Sequence, residues 1–428
     1  MVPSESPPRP DLRRWPLAMF MAAFFLYNLN LRAITAGDNY PARFLPFAIC
    51  GQGTLTLVPV LEAVSMGRAD PYWVRTSVTG EPVSMYPVVL PVLLAPLYAP
   101  ATAWLSWTGW AEHRLYVAAE LMEKLLASAL AAAGAAILLA LLLRRTSLRD
   151  AVLLSAAYAF ATNTWVTSSQ GLWQHTLGQL LLIAILGLFQ VDLSAGSAAL
   201  TGLLAGLQVA NRPFNALLLA PILLARLWRS PRTWLPFGAG LLVGAGPFVA
   251  YNLHYFDHPG GFYAVLAKMR PGLYEGSVLE GLAGLLVSPS KGLLVFSPFL
   301  LFLVLRGWRR NAGSVSALDA ALGIGLVMHL VFFAQTDFTA GTCYGPRFMV
   351  DALPALIWLL PPVLAPLGRG ARAAFVAAMA WGISVQAVGA FRYPMGGSDG
   401  RDPWDWRNPA FLVEAKAKAP PPRLAILP

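Results

Sequence analysis

The residues of this chain that could do chemistry are few, polar and set against apolar surroundings. Asp38 stands in Ala36-Gly37-Asp38-Asn39, just past the first apolar run. An acid at the mouth of a hydrophobic segment is costly to bury and is kept where it works. On position alone it is a candidate for function; a solvated loop acid or a helix cap is the plainer reading. His175 closes Ser169-Gln170-Gly171-Leu172-Trp173-Gln174-His175. It can carry a proton, donate to a phosphate or bind a metal, or simply pack beside Trp173. Arg212, in Asn211-Arg212-Pro213, and Arg347, in Gly345-Pro346-Arg347-Phe348, lie at the ends of apolar runs. A guanidinium there can hold a phosphate or snorkel to lipid head groups. Lys291 lies between Ser290 and Gly292 at the start of another apolar run. A helix N-terminus offers free N–H groups to an anion, but the glycine spacing is not that of a nucleotide-binding P-loop. Arg43 is a further cation in the segment that Asp38 opens. Glu120 and Lys124, four apart, can pair on one helix face. Cys50 and Cys343 have no metal-site spacing and read as two unpaired residues, with a disulfide as the alternative. No metal-ligand set is assigned.

The elements that must position these residues are membrane helices. The chain is 57% hydrophobic and 12% charged, where a soluble domain is about 25% charged. Apolar runs of about 17–25 residues recur along it, each able to cross a hydrocarbon core of about 30 Å. The expected spans are about 15–35, 114–143, 150–168, 175–191, 195–211, 213–227, 233–252, 291–305, 315–336, 348–367 and 373–391. The first follows Arg9, Arg13 and Arg14 like a signal peptide, but no small-residue cleavage site follows, so it reads as an uncleaved span. The segment 86–107 carries Pro87, Pro91, Pro96 and Pro100 and can be a span or an interfacial helix.

Charge chooses between these. With 86–107 lying in the interface, Arg9, Arg13, Arg14, Arg144, Arg145, Arg149, Arg226, Arg229, Arg232, Arg306, Arg309, Arg310, Arg369 and Arg372 all fall on one side. The positive-inside rule makes that side cytoplasmic. The net charge of +10 thus reads as topology signals and not as a nucleic-acid surface. Glu5, Asp11, Asp150, Asp192 and Asp319 fall inside; the other 16 of the 21 acids fall outside or in outer halves of spans. The expectation is an all-α polytopic protein of about eleven transmembrane helices forming one membrane-embedded domain over 1–428. Residues 36–113 form a long first outer loop with interfacial helices, 114–391 the remaining spans, and 392–428 an outer tail.

An acid directly after the first span, a long outer loop and outward-facing cations at later span ends make the chain similar to a known class. It resembles the GT-C class of integral-membrane glycosyltransferases, which includes protein O-mannosyltransferases, the lipid A aminoarabinose transferase and oligosaccharyltransferases. It looks most like bacterial GT-C-like membrane proteins of unassigned substrate. The resemblance is carried by AGDNYPARFLPFAICGQGTLTL from Ala36, SMYPVVLPVLLAPLYAP from Ser84, SQGLWQH from Ser169, ANRPFN from Ala210, YNLHYFDHP from Tyr251, LLVSPSKGLLVFSP from Leu285 and YGPRF from Tyr344. It implies a donor sugar on a polyprenyl phosphate, an acceptor hydroxyl not specified further, and transfer at the outer face of a bacterial inner membrane with the N-terminus inside. It implies Asp38 as the base, with donor or phosphate contacts drawn from Arg43, His175, Arg212, Lys291 and Arg347. Many members carry a second acid beside the first, a pair suited to a divalent cation; here the neighbour is Asn39, so a divalent cation stays open. Membrane lipids are expected partners and nucleic acid is not. The alternative reading is a transporter or flippase of a lipid-linked saccharide; such proteins often show inverted repeats and midplane polar sites, and no repeat is evident here.

Overall fold

Long apolar stretches in which alanine and leucine predominate satisfy their backbone groups only as helices once water is absent, and the computed structural model is mostly helical. It describes residues 14–63, 71–228, 230–270, 272, 274–304, 316–339, 341–394, 402–418 and 420. Arg9, Arg13, Arg229, Arg306, Arg309 and Arg310, with Glu5 and Asp11, lie outside the described residues. The first helices are α1 (Arg14–Asn28), α2 (Tyr40–Gln52), α3 (Val58–Ala63), α4 (Val89–Thr108), α5 (Glu112–Leu142), α6 (Leu148–Phe160) and α7 (Gln174–Leu188). Then come α8 (Ala195–Asn211), α9 (Asn215–Leu227), α10 (Trp234–Phe256), α11 (Gly261–Met269), α12 (Val278–Val287) and α13 (Leu293–Phe296), followed by helices at Ala317–Ala334 and Arg369–Arg392. Among the described residues, Val89–Thr108, Glu112–Leu142, Pro231–Phe256, Ala317–Ala334 and Arg369–Arg392 are long and apolar enough to cross a membrane.

Several expected spans are broken, each for a visible reason. Helix α1 stops at Asn28 and not at 35; Leu31 adopts a left-handed φ of 49°, which ends regular structure. The run 150–168 is α6 followed by a π-helical turn, Thr164–Ser168. There the Thr162 hydroxyl donates to the Tyr158 carbonyl at 2.6 Å, competing with the helix. Of the run 291–305, the described residues form α13, a 3-10 turn at Pro298–Leu301 and a helical stretch at 302–304, and 348–367 splits into a 3-10 turn (Arg347–Ala352) and short helices at Leu353–Trp358 and Pro361–Leu364. Prolines 298, 354, 361 and 362 supply no backbone donor at these breaks.

Helix α5, about 46 Å long at 1.5 Å per residue, organises the rest. Its C-terminal half packs antiparallel to α1. Lys124 Nζ donates to the Tyr27 carbonyl at 2.7 Å, and Ala131–Leu142 share a core with Met19 and Ala23. Its N-terminal half projects past the end of α1 into a second core, with Phe44 and Phe47 of α2, Leu90, Leu94 and Tyr98 of α4, and Tyr251 of α10. Helices α2 and α4 thus pack on the projecting half of α5 and not along the length of α1. The chain leaves α1 and re-enters α5 at one end of the bundle, so Arg14 and the Arg144–Arg145 pair share the other. There Arg145 pairs with Asp319 at 3.5 Å and reaches the Trp358 carbonyl at 2.7 Å, while Arg372 pairs with Asp150.

Helices α8 and α10 meet through two small-xxx-small pairs, Gly202/Gly206 and Gly240/Gly244. With little hydrophobic drive between helices in lipid, close backbone approach supplies the packing. A Cβ on Gly240 would lie 1.9 Å from the Ala199 carbonyl oxygen, whereas one on Gly238 meets nothing within 4 Å. Gly240→Ala should therefore cost at least about 1–3 kcal/mol by overpacking, read as a lowered thermal midpoint in detergent. Gly238→Ala should leave that midpoint unchanged or slightly raised.

Candidate functional site

The site begins with a turn and a hairpin. Asp38 sits in a 3-10 turn, Gly37–Asn39, that runs into α2 with Pro41 in its first turn. Two short antiparallel strands, β1 (Val74–Thr76) and β2 (Pro82–Ser84), pair Val74 with Ser84. Tyr72 and Tyr86 lie two residues beyond that pair, at the open end of the hairpin. Both reach one oxygen of Asp38: the Tyr86 hydroxyl donates to Oδ1 at 2.6 Å and the Tyr72 hydroxyl at 3.2 Å. The approach needs a glycine at 37, because a Cβ there would lie 1.9 Å from the Tyr72 hydroxyl. Asp38 Oδ2 is bound by Arg347, whose guanidinium lies 4.4 Å from the centre of the Trp173 ring. Burial pushes the Asp38 carboxyl up, but Arg347 and the hydroxyls of Tyr86 and Tyr72 outweigh it, and its pKa lies below the usual carboxylate value. Burial and the adjacent carboxylate raise both tyrosines, which stay protonated as donors.

The turn that supplies Arg347 also supplies Asp351. Asp351 is wholly buried; its Oδ2 lies 2.9 Å from His175 Nδ1 and 2.7 Å from Arg212 Nε. His175 comes from the first turn of α7 and Arg212 caps the end of α8. Arg212 also lies over the Phe333 ring at 5.5 Å, and His329 Nε2 lies 2.9 Å from the Phe348 carbonyl. Six residues thus add to a connected site: Asp38, Arg347, Trp173, His175, Asp351 and Arg212. Of the sequence candidates, Asp38, His175, Arg212 and Arg347 converge here.

Two others do not join them. Arg43 is buried between Glu120 at 3.4 Å and Glu123 at 3.5 Å, where it ties α2 to α5. The expected Glu120–Lys124 pair is therefore not formed: Arg43 reaches Glu120, while Lys124 turns to Tyr27 and Gln170. Lys291 donates from Nζ to the carbonyls of Cys343 at 2.7 Å and Gly341 at 3.2 Å, bracing the loop that leads to Arg347. Cys50 and Cys343 are not bonded to each other; the Cys50 thiol donates to the Ala95 carbonyl at 2.8 Å. Among the described residues, no group of three or more His, Cys, Asp or Glu is arranged to hold a metal ion.

Tyr72 and Tyr86 are not singled out by the sequence, although Tyr86 lies in the Ser84-Met85-Tyr86-Pro87 segment. Their signal is the Thr79-Gly80 turn with short β-type runs on either side, which reads as a hairpin. Beside Tyr86 lies a cavity of about 290 Å³ whose lining is mostly apolar and includes Ala210, Pro213, Phe248, Phe256 and Tyr263. Comparison with protein-family models, with curated proteins and with solved structures finds no match in any of the three.

The depressed carboxyl has a stability consequence. A group whose folded pKa lies below its unfolded value contributes stability above the unfolded value and loses it as pH falls through the folded one. Asp38→Asn should therefore lower the thermal midpoint in detergent at neutral pH. The gap to the parent should close in acid below the ordinary aspartate value of 3.8; a gap that persists there would mean the ion pair is not its source.

Proposed function

We propose that this protein is a membrane glycosyltransferase of the GT-C type. It moves a sugar from a polyprenyl-phosphate donor to an acceptor hydroxyl. The observation that carries the reading is the ion pair between Asp38 and Arg347, beside an apolar cavity. Asp38 is an acid placed to accept a proton and, on it, Arg347 is a cation able to take a phosphate.

The chemistry follows from competition for Arg347. A donor phosphate offers a guanidinium two oxygens and a bidentate geometry. As Arg347 turns to it, one Asp38 oxygen is released. That oxygen accepts the proton of the acceptor hydroxyl as the hydroxyl attacks the anomeric carbon. The bond from that carbon to the phosphate oxygen breaks, and the charge left on the polyprenyl phosphate falls beside Arg347 in a low-dielectric site. Attack by one acceptor opposite the leaving group inverts the sugar carbon, unlike the two-carboxylate retaining route. Tyr72 and Tyr86 keep Asp38 oriented throughout. The cavity lined by Phe248 and Phe256 suits an isoprenoid chain, with Tyr86 between it and the carboxylate.

Orientation belongs to the same proposal. At one end of the bundle Arg145 lies on Asp319 and Arg372 on Asp150. Asp38, Arg347 and Asp351 lie at the other. The positive-inside rule then puts the site on the outer face of a bacterial inner membrane, the N-terminus inside, in an arrangement of about eleven spans. In that arrangement α4 lies within the outer assembly.

Purified protein in liposomes, given a polyprenyl-phosphate-linked sugar and an acceptor alcohol, is the test. Asp38→Asn should lower transfer at least about 100-fold, the usual worth of a positioned base. Full transfer by that variant, or movement of the lipid-linked sugar across the bilayer with no new glycosidic bond, contradicts the reading. The second outcome is the one a flippase gives.

A further inference from the structure

His175 is built differently from Asp38. Asp38 has three donors on its two oxygens, from Tyr72, Tyr86 and Arg347. His175 is buried, with its Nδ1 against Asp351 at 2.9 Å, and its Nε2 is buried with no hydrogen-bond partner among the described residues. A buried ring nitrogen left without a partner costs free energy unless it is used. The contact at Nδ1 sets the tautomer: Asp351, an ionised acceptor, takes the Nδ1–H, and the lone pair stands on Nε2. A carboxylate holding one imidazole nitrogen while the other faces the reaction is how a histidine is made to move protons.

The dyad is held on purpose-built backbone. Asp351 shares its 3-10 turn with Arg347. A Cβ on Gly178, one turn along α7 from His175, would lie 2.6 Å from Asp351 Oδ1, so only glycine leaves room for the carboxylate. The Trp173 ring ties the two halves together. Arg347 lies over it at 4.4 Å, and the His175 ring centre is 6.3 Å away.

Resting on the transferase reading, we propose that His175 is the general acid of this site, protonating the departing polyprenyl phosphate from Nε2, with Asp351 and Arg212 as its positioning residues. In this cycle the resting imidazole carries one proton, on Nδ1. The charged and titratable groups around it are Asp351, which lies on Nδ1, Arg212 on the same carboxylate, Arg347 across the Trp173 ring and His329 beyond Asp351. A carboxylate attracts a second proton to the ring and the two guanidinium groups repel it. A donor phosphate on Arg347 cancels one of the opposing charges, and Nε2 takes a proton from solvent. As the bond from the sugar carbon to the phosphate oxygen breaks, its electron pair goes to that oxygen. The Nε2 proton follows, and the imidazole returns to its neutral form. Asp38 takes the acceptor proton and later releases it to solvent. One proton enters at His175 and one leaves at Asp38, so the cycle closes with no other co-reactant.

The experiment is nitrogen-detected NMR on full-length protein in nanodiscs, labelled at its five histidines, with His175→Gln used to assign the resonance. The probes are undecaprenyl phosphate and inorganic phosphate. Without ligand, His175 should show the Nδ1–H tautomer. At neutral pH, saturating undecaprenyl phosphate should convert it to imidazolium, and the same concentration of inorganic phosphate should not. Asp351→Asn should bind the lipid phosphate yet lose the conversion, which a merely structural role for Asp351 would not produce. Three results would overturn the proposal while leaving the transferase reading intact. They are lipid phosphate binding with His175 still neutral, an Nε2–H tautomer at rest, or an equal response to inorganic phosphate. Failure of undecaprenyl phosphate to bind the parent protein, or equal binding by Arg347→Ala, overturns the transferase reading and the proposal with it.

Discussion

The structure turns on one constraint: a charge inside an apolar bundle must be met by another charge brought from far along the chain. Asp38 and Arg347 satisfy it across the sequence, and Asp351 does so again with His175 and Arg212. Both pairings depend on the single turn at Arg347–Ala352. Removing one member of a buried pair leaves an uncompensated charge, typically at a cost of about 3–5 kcal/mol. The first loop, α7, α8 and the segment after the Ala317–Ala334 helix are therefore bound to a common point. That convergence sets two carboxylates, two guanidinium groups and an imidazole close to one another.

What lies behind that point is a second layer of the same kind. Arg43 sits between Glu120 and Glu123, and Glu123 also accepts the backbone N–H of Leu172 at 3.1 Å. Lys124 and Gln170 join the end of α1 to the loop before α7. These charges hold the first loop against the projecting half of α5, and so hold Asp38 at the height of Arg347. Their role is positional: Arg43, a cation close to Asp38 in sequence, is held between two acids of α5. The arginines at the far end are paired with acids in the same economical way, Arg145 with Asp319 and Arg372 with Asp150.

Much of this was visible in the sequence, and the rest was hidden for identifiable reasons. Apolar runs marked most helices because length and composition suffice to do so; the ends of α7, α8 and α10 fall within a few residues of where the runs place them. Asp38, His175, Arg212 and Arg347 stood out because charge next to apolar sequence is costly. Their pairing was invisible, since nothing local to Arg347 points to Asp38. Local reasoning misled at Glu120, where helical spacing favoured Lys124 and a tertiary partner, Arg43, won. It misled again at 348–367, where hydropathy promised one helix and prolines divided it. The glycines of α8 and α10 were legible as a pattern only once the two helices were known to touch.

The central claim is that Arg347 exchanges Asp38 for a phosphate. The most direct measurement is a cryo-electron microscopy map of the protein with bound undecaprenyl phosphate. The account predicts density for the phosphate within hydrogen-bonding distance of Arg347, the Asp38–Arg347 contact opened, and the chain running into the cavity beside Tyr86. Lipid phosphate bound elsewhere, with Arg347 still on Asp38, would contradict it.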